Sequence, residues 1–165
     1  MGVKKTMLGV AAIVIFAATG ASAAETTLTG VHNCCNSCKK GIDTAVTGAG
    51  AKAKIDKSPI TVTADDEKGV KKAVDALLAA GYYGEGAPAS TEVPSDAKAK
   101  KVTVEAIHLC CGKCVDGFNK AVKAVPGVTK TDAAKNAKTV IVEGDVSPKD
   151  VLEALHKAGF NATVK

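Results

Sequence analysis

The sequence predicts an α+β protein made of two tandem strand–helix–strand–strand–helix–strand units behind a short leader. Three observations carry that reading. A stretch of the form H-x-C-C-x-x-C occurs twice, at residues 32–38 and 108–114, an offset of 76 positions (108 minus 32). Each copy comes after a β-rich run and precedes a helix-spaced apolar stripe. Each half also closes on the same signal, Ala80-Gly81-Tyr82 and Ala158-Gly159-Phe160.

Residues 25–31 and 101–107 are β-formers; in the second, Val102, Val104 and Ala106 alternate with Thr103 and Glu105, the pattern of a half-buried strand. In the first, Leu28 carries the buried face nearly alone. Ile42, Ala45 and Val46 then mark one helix, and Val115, Phe118, Ala121, Val122 and Val125 its counterpart. Ser37 is placed to cap the first of these. Gly48-Ala49-Gly50 and Pro126-Gly127 end them.

Two strands are expected in each half after that, over residues 51–56 and 60–64, and over 128–133 and 139–143. Turns at Ser58-Pro59 and Lys135-Asn136 separate them. The second helices run from about residue 66 to 80, with Val70, Val74, Leu77 and Leu78 inward, and from Pro148, with Ser147 as N-cap and Asp150 completing a capping box. Gly81 and Gly159 supply left-handed C-caps, and the aromatic after each enters a last short strand. This order is the split βαβ, ferredoxin-like arrangement. Residues 24–87 and 101–165 make the two domains, and residues 88–100, rich in Ala, Pro, Ser and charge, a linker.

Residues 1–23 have the form of a secretory signal peptide. Lys4 and Lys5 precede a short apolar run, and Ala21-Ser22-Ala23 fits a cleavage site. The run is too short to span a bilayer. A periplasmic or secreted location is therefore expected, with no membrane attachment after cleavage. The net charge is +5 and every basic residue is Lys. Without Arg for bidentate phosphate and base contacts, and with aromatics at 3%, a nucleic-acid partner is not expected.

All six cysteines lie in the two repeated stretches. Each cluster falls between a strand end and a helix start, so Cys35 with Cys38, and Cys111 with Cys114, can turn two sulfurs to one spot. A helix N-terminus favours thiolate there. Paired thiolates suit soft or borderline ions such as Cu(I), Zn(II), Cd(II) or Hg(II). Cys34, Cys110, His32 and His108 are further candidate ligands. The plainer alternatives are that Cys34 and Cys110 are small buried residues and that the histidines only brace the loop. His156 has no cysteine near it in sequence and is read as surface.

On these motifs residues 25–87 and 101–165 each resemble the heavy-metal-associated domain, a family that includes copper chaperones, the N-terminal domains of metal-pumping ATPases and periplasmic mercury-binding protein. The resemblance rests on C-x-x-C between first strand and first helix, on Val125-Pro126-Gly127-Val128, and on Gly81-Tyr82 and Gly159-Phe160. It implies a ferredoxin-like fold, metal on Cys35 with Cys38 and on Cys111 with Cys114, and a membrane metal transporter or another thiol-bearing carrier as partner. The chain departs from the family where Gly-Met-x is usual, with His32-Asn33-Cys34 and His108-Leu109-Cys110 instead. Leu109 can serve as the apolar plug; Asn33 does so poorly. Two thiolates suit linear Cu(I) or Hg(II), and three with an imidazole suit tetrahedral Zn(II).

The expected function is capture and handover of soft metal ions through two cysteine-rich sites. No nucleophile set or phosphate-binding loop points to an enzyme. The alternative is a dithiol–disulfide redox protein, since C-x-x-C at a helix start also serves that chemistry.

Overall fold

A computed structural model describes residues 23–88 and 94–165. The leader expected over residues 1–23 lies, apart from Ala23, outside the described residues. The fold is α+β. In the first half the order is β1 (Ala24–Leu28), α1 (Asn36–Gly48), β2 (Lys52–Ile55), β3 (Ile60–Ala64) and α2 (Glu67–Ala79). In the second it is β4 (Ala99–Glu105), α3 (Gly112–Lys123), β5 (Val128–Thr131), β6 (Thr139–Val146), α4 (Pro148–Lys157) and β7 (Thr163–Val164).

The second sheet has the antiparallel order β5-β6-β4-β7, and the first has β1-β3-β2. The second half is therefore a complete ferredoxin-like βαββαβ unit. The first has the same order but, among the described residues, lacks a full fourth strand. One bridge, Thr29 to Glu85, stands where that strand would pair. Gly84 and Gly86 let the chain lie against β1 there. A Cβ at Gly84 would lie 2.6 Å from the Val31 side chain, and one at Gly86 2.8 Å from the Thr27 carbonyl oxygen. The chain can pass this close only without side chains.

Apolar spacing decides which faces are buried. Ile42 and Val46 of α1, with Ala73, Val74 and Leu77 of α2, meet Leu28, Ile60 and Val62 of the first sheet. Phe118 and Val122 of α3, with Val151 and Leu155 of α4, meet Val102, Val104, Val140 and Val142 of the second. Burying each large apolar side chain contributes about 1.5–3 kcal/mol, so Val and Leu suffice where aromatics are scarce.

The caps differ in kind. Asp66 caps α2 by accepting from the Gly69 amide at 2.7 Å, and Ser147 caps α4 by accepting from the Asp150 amide at 3.3 Å. Ser37, expected as the cap of α1, lies inside the helix; Cys35 holds the N-cap position, and Cys111 does so for α3. The helix opens two residues earlier than the hydroxyl suggested, which brings the cysteine backbone to the cap.

The Gly-aromatic ends also behave differently from expectation. They do not enter strands of their own sheets. Tyr82 and Phe160 form an antiparallel bridge with each other, joining the two halves. The Tyr83 amide donates to the Gly159 carbonyl at 3.0 Å and the Asn161 amide to the Gly81 carbonyl at 3.0 Å. The Asn161 side chain donates to the Leu78 carbonyl at 2.8 Å. Extended segments leaving two equivalent helices satisfy one another's backbone groups. β4 takes in Ala99 and Lys100, which composition had placed in the linker. The segment before it folds back on α4, where the Lys149 amide donates to the Ser95 carbonyl and the Lys149 side chain meets Asp96.

Candidate metal centre

The seam between the halves brings the two cysteine stretches together. Cys34 Sγ lies 3.7 Å from Cys38, 3.6 Å from Cys111 and 3.6 Å from Cys114. Cys35 lies 3.6 Å from Cys38 and 3.9 Å from Cys110. Cys38 lies 3.6 Å from Cys110 and 3.7 Å from Cys114. Cys114 lies 3.6 Å from Cys110 and 3.5 Å from Cys111. All six are free thiols. The two trios thus form one cluster rather than two separate sites.

Local structure places each sulfur. Cys38 and Cys114 sit on the first turns of α1 and α3, facing inward and fully buried. Cys35 and Cys111, at the N-caps, lie near the first amides of their helices. The Cys38 amide, ahead of any other influence, pulls the Cys35 thiol down to about 6. The Cys114 amide likewise lowers Cys111. Burial pushes Cys34 and Cys110 upward, with neighbouring thiols adding to it, and pushes Cys114 up to about 11. Each C-x-x-C therefore pairs an accessible, thiolate-prone sulfur with a buried one.

The loops ahead of the sulfurs are held by turns of their own halves. The Asn33 side chain donates to the Asp56 carbonyl at 3.0 Å, and the Asn136 amide donates to the Leu109 carbonyl at 2.6 Å. Leu109 is buried at 2% exposure, filling the plug position. Asn33 remains half-buried and braces the loop instead.

Both histidines reach across the seam. His108 lies against Tyr82 with ring centroids 4.5 Å apart, and its Nε2 is 2.9 Å from the Tyr82 hydroxyl, which itself donates to the Cys38 carbonyl at 3.2 Å. His32 stacks on Phe160 at 4.1 Å. Phe160 has no hydroxyl, and His32 Nε2 is a buried polar atom without a partner. Burial lowers the pKa of both rings; for His32 a hydrogen bond to the Ala158 carbonyl opposes this. A ring nitrogen of His32 lies within 4.8 Å of the Cys34 and Cys114 sulfurs, and one of His108 within 4.8 Å of Cys38 and Cys110. All eight residues expected from sequence are therefore gathered at one place.

Sequence reasoning missed Tyr82, Phe160 and the two helix glycines beside them. A Cβ at Gly41 would strike the Tyr82 hydroxyl, and one at Gly117 would lie 3.0 Å from His32 and 3.5 Å from Phe160. Gly three residues after the last Cys in both copies was the available signal. His156, read as surface, is half-buried and stacks on Tyr83 with centroids 3.8 Å apart. Its helix faces the other half, which no local pattern announced.

The donor set fits soft ions: six sulfurs and two imidazole edges, with no carboxylate in the cluster among the described residues. Residues 101–161 match the family model described as heavy-metal-associated domain. The superoxide dismutase 1 copper chaperone of Debaryomyces hansenii is 29% identical over 62 residues, covering 38% of this chain. The chain spans only 25% of that relative's length. Among solved structures, the N-terminal soluble domains of Bacillus subtilis CopA align over 88% of this chain and 95% of theirs, at 19% identity and a TM-score of 0.34. The water-soluble region of the P-type ATPase CopA from the same organism aligns over 88% and 93%, at 20% identity and a TM-score of 0.33. With the C-x-x-C at the β4–α3 junction and the complete βαββαβ order around it, residues 101–161 are a heavy-metal-associated domain.

Proposed function

We propose that this chain is a periplasmic or secreted carrier that captures soft metal ions and hands them on through a thiolate centre closed between two heavy-metal-associated modules. The modules are residues 24–87 and 101–165, joined by residues 88–100 and preceded by a signal peptide over residues 1–23. The observation that carries this reading is the convergence of all six sulfurs within contact distance across the seam. A single buried thiol is an ordinary small apolar residue, but six sulfurs within contact distance of one another, with two imidazoles beside them, make a donor set for soft ions.

Cu(I) is the favoured ion, with Zn(II) and Hg(II) as competitors. Handover proceeds by ligand exchange. An incoming thiol displaces one bound sulfur at a time, beginning at Cys35 and Cys111, which are more exposed than Cys38 and Cys114. A membrane metal transporter or another thiol-bearing carrier is the partner. The chain is a binding and transfer module, not an enzyme.

A dithiol–disulfide role is the second reading, favoured by the lowered Cys35 thiol 3.6 Å from Cys38. Metal content against free thiols in the reduced protein separates the two. The carrier reading expects tight soft-metal binding, lost when Cys35, Cys38, Cys111 and Cys114 become Ser. Absence of binding at micromolar metal, with turnover in a disulfide-reduction assay, would establish the redox role instead.

A further inference from the structure

We infer that the seam holds one polynuclear copper(I)–thiolate core, four Cu(I) ions on six bridging cysteine sulfurs, rather than one ion per C-x-x-C. This rests on the soft-metal reading above and extends it to a stoichiometry and a geometry.

Spacing is the first argument. Soft-metal–thiolate bonds are about 2.3 Å, so an ion held linearly needs its two sulfurs about 4.6 Å apart, a trigonal ion about 4.0 Å and a tetrahedral one about 3.8 Å. The Cys35–Cys38 and Cys111–Cys114 pairs are 3.6 and 3.5 Å apart. Pairs across the seam are as close, 3.6 Å for Cys34–Cys111 and 3.6 Å for Cys38–Cys110. These separations suit ions of three or four ligands, shared between the halves.

Connectivity is the second. Besides the pairs at 3.5 to 3.9 Å, Cys34–Cys35, Cys35–Cys111 and Cys110–Cys111 lie within 4.8 Å. Together these are the edges of an octahedron, in which Cys34 stands across from Cys110, Cys35 from Cys114 and Cys38 from Cys111. One set of alternate faces is Cys34-Cys35-Cys38, Cys34-Cys111-Cys114, Cys35-Cys110-Cys111 and Cys38-Cys110-Cys114. Every sulfur belongs to two of these faces. Four three-coordinate ions, one per face, therefore use each sulfur twice and leave none idle.

That count selects the ion. Zn(II) in a structural site takes four ligands, which six doubly bridging sulfurs cannot give to four ions, even with two imidazoles added. Cu(I) is soft and accepts three thiolates. Four Cu(I) replace six thiol protons, leaving a core of charge −2. Beside it a cleft lined by Cys34, Cys35, Lys39, Asp56 and Lys57 opens to solvent, offering an entrance whose two lysines outnumber its one carboxylate. The Cys34 and Cys110 sulfurs, absent from a plain C-x-x-C pair, gain a role as bridges.

The test is an anaerobic titration of the reduced, metal-free chain with Cu(I) buffered by bathocuproine disulfonate, read by native mass spectrometry. The expected result is passage from zero to four ions with two-ion species weakly populated. Saturation at one or two ions would overturn the core while leaving the carrier reading intact. Failure to take any copper from the buffer would overturn both. The double substitution Cys34→Ser with Cys110→Ser keeps both C-x-x-C pairs and should lower capacity to two ions or fewer. Four ions in that variant would refute the bridging scheme. Should the double variant fail to fold by circular dichroism, Cys110→Ser alone must still lower the capacity.

Discussion

Gly41 and Gly117 occupy equivalent places on α1 and α3, each leaving space for an aromatic ring or its hydroxyl at the seam. In one copy that space holds the Tyr82 hydroxyl, which serves His108; in the other Phe160 leaves His32 Nε2 without a partner. A buried unsatisfied group costs about 1–3 kcal/mol, and a restored bond adds about 1 kcal/mol net. The Ala158 carbonyl occupies the other ring nitrogen of His32, so Nε2 presents a lone pair that a hydroxyl can fill. Phe160→Tyr should therefore stabilise the metal-free protein by about 1 kcal/mol, and Tyr82→Phe should destabilise it by about 1–3 kcal/mol. Urea unfolding of both variants checks the pair. A loss of stability in Phe160→Tyr would show that the His32 pocket is closed to an oxygen. None of this could be read in sequence, because the contacts join residues that chain order leaves 26 and 128 positions apart (108 minus 82, 160 minus 32).

At the scale of elements, the legible features were those with a local cause. Both second helices, the Ser147 cap and the buried stripes arise from spacing and from side chains adjacent to the backbone they serve. Ser37 misled because a hydroxyl near a helix start is a weaker constraint than the turn of chain that puts Cys35 at the cap. The Gly-aromatic ends misled for a different reason. Gly81 and Gly159 do adopt left-handed φ of 86° and 82° as C-caps require, but the aromatic residues after them pair across the seam. A Cβ on Gly159 would fall on the Gly30 carbonyl and the His32 amide. Gly159→Ala should destabilise the protein by about 2 kcal/mol or more, combining left-handed strain with a backbone clash, and should weaken metal retention because the seam opens. Asp66→Ala, which removes only a cap, should cost about 1 kcal/mol and leave the metal stoichiometry unchanged. Thermal melts with metal analysis on both variants separate fold stability from seam closure. Equal metal retention in the two would argue against a seam-dependent centre.

Across the whole molecule, the two cysteine-rich sites read from sequence become one, because each half lends its last turn and its histidine to the other. Periodicity reports what a segment needs locally and is silent on which copy supplies it. The histidines make this docking sensitive to acid. His32, His108 and His156 all have lowered pKa values, with burial the first cause in each. His156 lies between the Tyr83 ring and the Asn161 side-chain oxygen at 3.2 Å, and Glu153 on its own helix partly opposes the shift. A base whose folded pKa is below its unfolded value binds fewer protons when folded. Stability is then full above the unfolded value of about 6.5 and falls as pH drops from there toward the folded value. Cys35, an acid lowered from about 9 to about 6, holds its full contribution only above the unfolded value and loses it as pH falls toward 6, so only the last part of that loss lies below pH 7. The melting temperature of the metal-free chain should thus decline from pH 7 to pH 5, before most carboxylates titrate. His156→Gln removes one titrating group from the seam without touching a sulfur, so its melting temperature should decline less steeply over that range. Parallel slopes for the variant and the parent would mean that His156 stays neutral, or is equally solvated, in both folded and unfolded chains.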